Sequence, residues 1–411
     1  MKPDTDVLIA GGGQVGLALA LALKRAAPTL DVTVIDAASP EGRSREGRAS
    51  TIVAGGQRML AELGVWAEVA SEAECVTGME ITDSRTADAV RPVFLRFALE
   101  SAADGETHVI ADGVVTAALD KAARQAGVVI VTEAAVADFA IADGGVTARL
   151  NDGRSLRARL IVAADGARSR LRDFAGIQRV GRSYGHSGVV ATILHERPHG
   201  GLAWEHFLPG GPFATLPLHD DERGRHRSSL VWTEPTDIAN RLVAGDALTF
   251  GVELERRFGH RLGAIEVGDK PQAFPLGVFI AREFVRPRVA LAGDAAHTIH
   301  PIAGQGLNLG YRDAAALAEV IVEAHRLGLD IGSLTVLDRY QRWRRYDTAE
   351  MALVTDSLDR LFTNDNPALR VVRDVGLGLV DRLPELKQLF IGSASGARGS
   401  EVPRLLRGEA I

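Results

Sequence analysis

The apolar run Asp6-Val7-Leu8-Ile9-Ala10, followed at once by Gly11-x-Gly13-x-x-Gly16, leaves this chain few ways to begin folding. The run reads as a fully buried strand, the glycines as a tight turn, and the Ala/Leu-rich stretch to about Arg25 as a helix that Pro28 ends. Asp31-Val32-Thr33-Val34-Ile35-Asp36 has the β-branched content of a second buried strand, so a strand-helix-strand unit and a parallel sheet are predicted. In such a unit Gly11 permits the turn and Gly13 lets a pyrophosphate approach the backbone. Gly16, with Ala20 one turn on, keeps the helix close to the sheet, and the helix start at Gln14 and Val15 favours negative charge. Asp36 ends the second strand, where a carboxylate accepts hydrogen bonds from an adenosine ribose and repels a ribose phosphate; NADP is disfavoured there. The fingerprint does not separate NAD from FAD, and a bare structural turn remains its alternative.

A chain of 411 residues with 46% apolar and 24% charged content buries a substantial core and suggests two or more domains. The formal net charge of -6 and the pI near 6.0 lack the basic surface that phosphate-backbone binding requires, so no nucleic-acid partner is expected. The single cysteine, Cys75, forms no intrachain disulfide, and no Cys/His spacing of a structural zinc site occurs; no metal is expected, and a reducing compartment fits. Val7 to Leu23 is apolar enough to mimic a signal peptide, but glycines interrupt it and no small-residue cleavage site follows.

Further along, a helix is predicted near Gln57 to Leu63, strands around Phe94 to Phe97, a helix from Val115 to Gln125 and a strand at Val128 to Val131. A hairpin around Asn151-Asp152-Gly153 leads into the strand Leu160 to Ala164, which returns to the dinucleotide sheet. From about Arg179 to Pro275 the turn Pro209-Gly210-Gly211-Pro212 and strand-like runs at Gly188 to Leu194 and Ser228 to Thr233 suggest an antiparallel domain. Val289 to Ala292 reads as another buried strand, Asn308 to Ala324 as a strong helix, and the tail from Met351 as amphipathic helix. The expected division is a discontinuous first domain (1–75, 100–178 and 276–345), a second domain (76–99 and 179–275) and a C-terminal helical region (346–411).

Two internal stretches, Ala163 to Arg172 with Asp165-Gly166, and Leu291 to Gly310 with Gly293-Asp294, resemble the two internal motifs of the flavoprotein aromatic hydroxylases, the single-component FAD monooxygenases. The second stretch looks most like the ubiquinone-biosynthesis hydroxylases. Arg48-Ala49-Ser50, Leu63-Gly64-Val65-Trp66, Phe207 to Ala214, Val231 to Glu234 and Pro403 to Gly408 support the closer match. The resemblance implies an α/β fold: a Rossmann-like FAD-binding domain, an inserted antiparallel-sheet substrate domain and C-terminal helices.

It also implies roles. Asp294 accepts hydrogen bonds from the ribityl hydroxyls of FAD, and amides in the Gly304 to Gly310 segment, with Gly306, Leu307 and Asn308, favour negative charge on the flavin ring. Asp165 and Gly166 resemble the segment that touches FAD and a transient NADH or NADPH, and Arg48 resembles a pyrophosphate-contacting Arg. The bland readings are a helix-capping Asp165 and a solvated Arg48. Where the family often places a Gln, Thr116 stands, which puts that contact in doubt. His297 and His300 invite a catalytic role because histidine carries protons near neutral pH, though packing histidines are commoner in such loops. Tyr184 is a weaker phenol contact.

The implied reaction is reduction of FAD, capture of O2 and hydroxylation of an electron-rich ring, with a lipophilic polyprenylated phenol or quinol as substrate. Expected with it are a cytoplasmic protein peripheral to the inner membrane, contact with a quinone-synthesis complex, and homo-oligomers. Phe207 to Phe213 is either an apolar entrance or core; Leu361, Phe362, Val371, Leu377, Leu379, Val380 and Leu383 either bury or meet a membrane or partner. A hydroxylase of soluble phenols, a flavin reductase of prenyl double bonds and a non-catalytic FAD-binding subunit remain open alternatives.

Overall fold

The computed structural model describes residues 3–39, 42, 47–83, 93–98, 105–142, 144–208, 210–299, 305–362 and 402–411. Its first sheet is the parallel one expected. Thr5–Ala10 pairs in parallel with Val32–Ile35 on one side and Ser155–Ala163 on the other. Val129–Val131 extends the first edge and Val289–Leu291 the second, both also parallel. Gly145–Leu150 folds back antiparallel on Ser155–Ala163 through the predicted Asn151-Asp152-Gly153 turn.

The helix Gln14–Ala26 has no polar face: Leu17, Leu19, Leu21 and Leu23 are all fully buried. A helix apolar all round belongs inside a core, and each such leucine contributes about 2 kcal/mol by leaving water. The helix Gln305–Arg326 packs against it, burying Ala314 to Ala318. Small side chains let the two backbones approach, which fixes where the N-terminal ends of both helices lie.

The second sheet is largely antiparallel. Its central order is Gln272–Ala281, Arg179–His195, His226–Pro235, Gly211–Leu218 and Leu202–Leu208, followed by Gly78–Asp83 and Val93–Ala98. The pair Leu202–Leu208 with Gly78–Asp83 is the parallel exception. Along these strands alternate residues point to opposite faces. One face carries Val189, Ile193, Trp204, Phe213 and Trp232, buried beneath the helices Thr236–Ala244 and Ala247–Phe258. The other face turns to the first domain, where Ala203, Leu216 and Leu218 pack on Val109 of a small three-stranded sheet.

The long helix Leu334–Phe362 takes in Met351, as the sequence predicts. The chain end returns to the first domain: Leu405 and Leu406 are buried beside the helix Ala54–Glu62, and Arg58 Nε donates to the Leu406 carbonyl at 2.8 Å. Val371, Leu377, Leu379, Val380 and Leu383 lie outside the described residues, as do His300 and Gly304. Among the described residues no helix is long and apolar enough to cross a membrane.

Candidate functional site

The glycine turn is built as its spacing implies. Gly11 has φ 111°, and a Cβ there would stand 2.1 Å from the Ala164 carbonyl oxygen. A Cβ on Gly16 would stand 2.0 Å from the Gly11 carbonyl oxygen, so both positions admit only glycine. Gly13 is different: a Cβ there would meet nothing within 4 Å. Its backbone borders open space at the N-terminus of a helix, where unpaired amides gather. Gly306, in the first turn of Gln305–Arg326, is open in the same way. Val15 joins the two starts, because a Cβ on Gly293 or Gly310 would fall 3.3 or 2.5 Å from its methyl carbon.

Gly293 has φ 61° and donates its amide to Asp313 Oδ2 at 2.8 Å. The same oxygen accepts from the His297 ring Nε2 at 2.6 Å, and Asp313 Oδ1 accepts from Arg344 Nε at 2.7 Å. All three side chains are buried. Burial pushes the Asp313 carboxyl up, but the charges and hydrogen bonds of His297 and Arg344 outweigh it and leave it below the usual Asp range. This buried triad locks the turn that presents Asp294. His297 therefore lies against Asp313 inside the protein, away from the open cleft, which is the packing alternative to a catalytic histidine.

Asp294 itself reaches solvent, though protein crowds round it. That crowding pushes its carboxyl above the ordinary Asp value, against the opposing pull of His297 and Arg48. The fold thus brings positions 48 and 294 together. Arg48 also lies 3.9 Å from Asp112 Oδ2 and stacks over the Phe274 ring at 5.3 Å, so it is more than a solvated surface charge.

Other assigned residues spend their side chains on the protein. Gln14 is buried, donating to Asp112 Oδ1 at 3.1 Å and accepting from the Tyr311 hydroxyl at 2.5 Å; only its backbone faces the turn. Asn308 accepts from the Val53 amide and donates to the Thr51 carbonyl, tying the long helix to the strand Ala49–Ile52, and Leu307 packs on the core. Asp165 Oδ2 caps the helix Arg170–Phe174 by accepting from the amides of Arg170 and Leu171, while its buried Oδ1 has no hydrogen-bond partner among the described residues. The neighbouring Gly166 has φ 81°. Asp36 Oδ1 accepts from the Ala38 amide, leaving the residue at the strand end next to Gly11. Thr116 donates to the Asp112 carbonyl of its own helix at 2.7 Å, so its hydroxyl does not replace a reaching Gln.

Tyr184 stands apart. It lies on the second sheet where the register shifts between Ser183 and Ser187, with Arg182 stacked 5.3 Å from its ring. Phe207 and Phe213 are both buried, Phe213 in the cluster beneath the two helices. Sequence reasoning missed Asp112, Tyr311, Asp313 and Arg344. The available signal was Asp313 inside the Ala-rich run, since a buried acid requires partners. Sequence spacing also gave no hint that Cys75 and His108, opposite each other on paired strands, and Glu106, just before the second strand, place their ligand atoms within 4.8 Å of one another.

Comparison with known proteins accords with this geometry. The family described as "FAD binding domain" matches residues 4–353. Ubiquinone hydroxylase UbiL of Rhodospirillum rubrum is 42% identical over 409 residues, 98% of this chain and 92% of that protein. The 3-demethoxyubiquinol 3-hydroxylase of Escherichia coli is 34% identical over 402 residues, covering 95% of this chain and 98% of that one. Among solved structures, p-nitrophenol 4-monooxygenase PnpA from Pseudomonas putida superposes with a TM-score of 0.79 at 23% identity, over 97% of this chain and 100% of that chain, which shows a shared fold. FAD suits the two open helix starts, the exposed carboxylate between them and the orphaned Asp165 oxygen. This chain belongs to the FAD-binding monooxygenase family related to the ubiquinone-biosynthesis hydroxylases.

Proposed function

We propose that this protein hydroxylates the aromatic ring of a polyprenylated phenol or quinol in ubiquinone biosynthesis, using NADH or NADPH and O2. The observation that carries the reading is identity of 42% along nearly the whole chain to a ubiquinone hydroxylase, second sheet included. FAD, when bound, supplies the oxygen chemistry. The protein's part is then to bind and orient. The helix start at Gly13 holds the pyrophosphate, Arg48 adds a positive charge, Asp294 takes the ribityl hydroxyls, and the open amides at Gly306 favour negative charge on the ring. His297, Asp313 and Arg344 hold Asp294 in place without touching the cofactor.

Asp165 and Gly166 take the transient nicotinamide donor in this reading. A lipophilic ring substrate would be met at the inner-membrane surface or within a quinone-synthesis complex. Two measurements test the proposal. Deleting the gene in its host should cause one quinone precursor lacking a ring hydroxyl to accumulate, and purified protein should consume O2 in step with hydroxylated product. If no precursor accumulates, the biosynthetic role is wrong; NAD(P)H oxidation that consumes no O2 would point to a reductase instead.

A further inference from the structure

The second sheet buries three glutamates, and the protein provides partners for two of them. Glu80 receives Arg96 and Arg261 at 2.5 Å each and the Trp204 Nε1 hydrogen at 3.2 Å. Glu234 accepts from Trp232 Nε1 at 2.9 Å and from Arg257 at 3.0 Å. Glu205 is 7% exposed, yet no hydrogen bond or ion pair from any described residue reaches its carboxyl. A buried carboxyl without a partner carries a cost of several kcal/mol unless it stays protonated or meets a ligand. Such a residue is poor packing and useful chemistry.

Strand alternation shows where it points. Trp204 and His206 flank Glu205 in sequence; Trp204 belongs to the cluster beneath the two helices, and His206 lies against Phe213 of that cluster. Glu205 therefore faces the other way, toward the first domain. The pairing puts Glu205, Ala214, Val231 and Val190 in one row across the sheet, and Phe207, Pro212, Thr233, Gly188 and Phe274 in the next row on the same face. Ala214, Val231, Val190 and Phe274 are only half-buried, whereas Trp204, Phe213 and Trp232 on the opposite face are buried. Arg48, the neighbour of Asp294, lies over Phe274 at the far end of this face. The two rows thus form a mostly apolar floor, half-buried at Ala214, Val231, Val190 and Phe274 and buried at Glu205 and Phe207, with Arg48 at one end and Glu205 at the other.

We propose that Glu205 binds the ring hydroxyl of the aromatic substrate and accepts its proton. The inference deepens the phenol-hydroxylase reading and rests on it. The phenol O–H bond breaks, an O–H bond forms on the Glu205 carboxylate, and no electrons change hands. Removing that proton raises electron density at the ring carbons ortho and para to the oxygen, which are the carbons an electrophilic oxygen attacks. Burial alone pushes the Glu205 carboxyl up to about 7, so it takes and returns a proton near neutral pH. From the neighbouring strands Ile81 and Ala214, neither of them titratable, stand opposite it.

The test uses FAD-loaded full-length protein and a phenol carrying one prenyl unit, with its O-methyl ether as the control lacking the proton. Glu205→Gln keeps the volume and the donor but cannot accept a proton. It should bind FAD as the parent does, lose about 100-fold in kcat for the phenol, and lose the neutral-pH limb of the pH profile, with Glu205→Asp recovering part of both. An unchanged pH profile and kcat in Glu205→Gln would overturn the proposal. Infrared difference spectra, parent minus Glu205→Gln, give a readout independent of turnover. The carboxyl band should titrate near neutral pH and shift when the phenol binds but not when the ether does; a band indifferent to the phenol sinks the assignment even if the parent is an active hydroxylase. Failure of the parent to hydroxylate any phenol while it binds FAD would instead count against the substrate reading itself.

Discussion

Two buried acids, Asp313 and Glu205, were solved in opposite ways. In the cofactor domain Asp313 has an amide, an imidazole and a guanidinium arranged round it, and its carboxyl falls below the usual range. In the second sheet Glu205 has none among the described residues, and its carboxyl rises to about 7. The first arrangement fixes a loop in one geometry; the second keeps a group ready for an outside partner. The first domain thus spends these polar atoms on rigidity, while the second sheet holds one in reserve.

The contrast breaks most readily at the triad. Asp313→Ala leaves the buried Arg344 with Asp347 but without the carboxylate that receives its Nε, and leaves the Gly293 amide and His297 Nε2 without their acceptor; it should destabilise the protein by about 3 kcal/mol in chemical denaturation, with bound flavin lost. Because the folded carboxyl sits below its unfolded value, the stability Asp313 lends is present above that unfolded value and disappears as pH falls through the folded one. Parent-like stability in the variant would mean that the triad does not hold the Gly293-Asp294 turn.

Glu205 has the reverse sign. A carboxyl raised in the folded state favours folding most at low pH, and its stability cost grows as pH climbs from about 4.5 to about 7. Glu205→Gln should therefore raise stability by up to about 3 kcal/mol above neutral pH and by little at pH 4. A pH-independent difference would show that the acid is partnered in solution.

Smaller effects sharpen the cofactor side. Asp294→Ala should keep the fold, since the carboxylate reaches solvent, but lose bound flavin or its oxygen-coupled turnover. Retention of both at the parent level would refute its role. Gly13→Ala, at φ -74° with open space round the new methyl, should leave apo-protein stability within about 0.5 kcal/mol yet weaken FAD binding measured by flavin fluorescence. Thr116→Ala should remove one intrahelical hydrogen bond, costing about 1 kcal/mol or less, and leave flavin affinity unaltered.

Much of the cofactor half was legible because its constraints are local. Gly11 and Gly16 sit where a Cβ would collide with a carbonyl, and glycine at a fixed spacing after an apolar run announces such a turn. Asp313 was visible only as an anomaly, an acid amid alanines. That Gln14 and Asn308 spend their side chains on distant protein groups was hidden, since each partner lies about 100 or more residues away in the chain. The second sheet gave still less warning: Glu205 sits in Trp204-Glu205-His206-Phe207, where nothing in composition tells which neighbour faces the helices.

The sequence by itself determined the parallel dinucleotide unit and the antiparallel insertion, because glycine spacing and apolar periodicity act over a few residues, and the flavoprotein family came from the resemblance of the Asp165-Gly166 and Gly293-Asp294 stretches. Tertiary structure alone decided which polar groups are satisfied. It placed Arg48 beside Asp294, turned His297 inward to Asp313, and left the buried Glu205 without a partner among the described residues, because strand register and helix packing set partners between residues far apart in the chain.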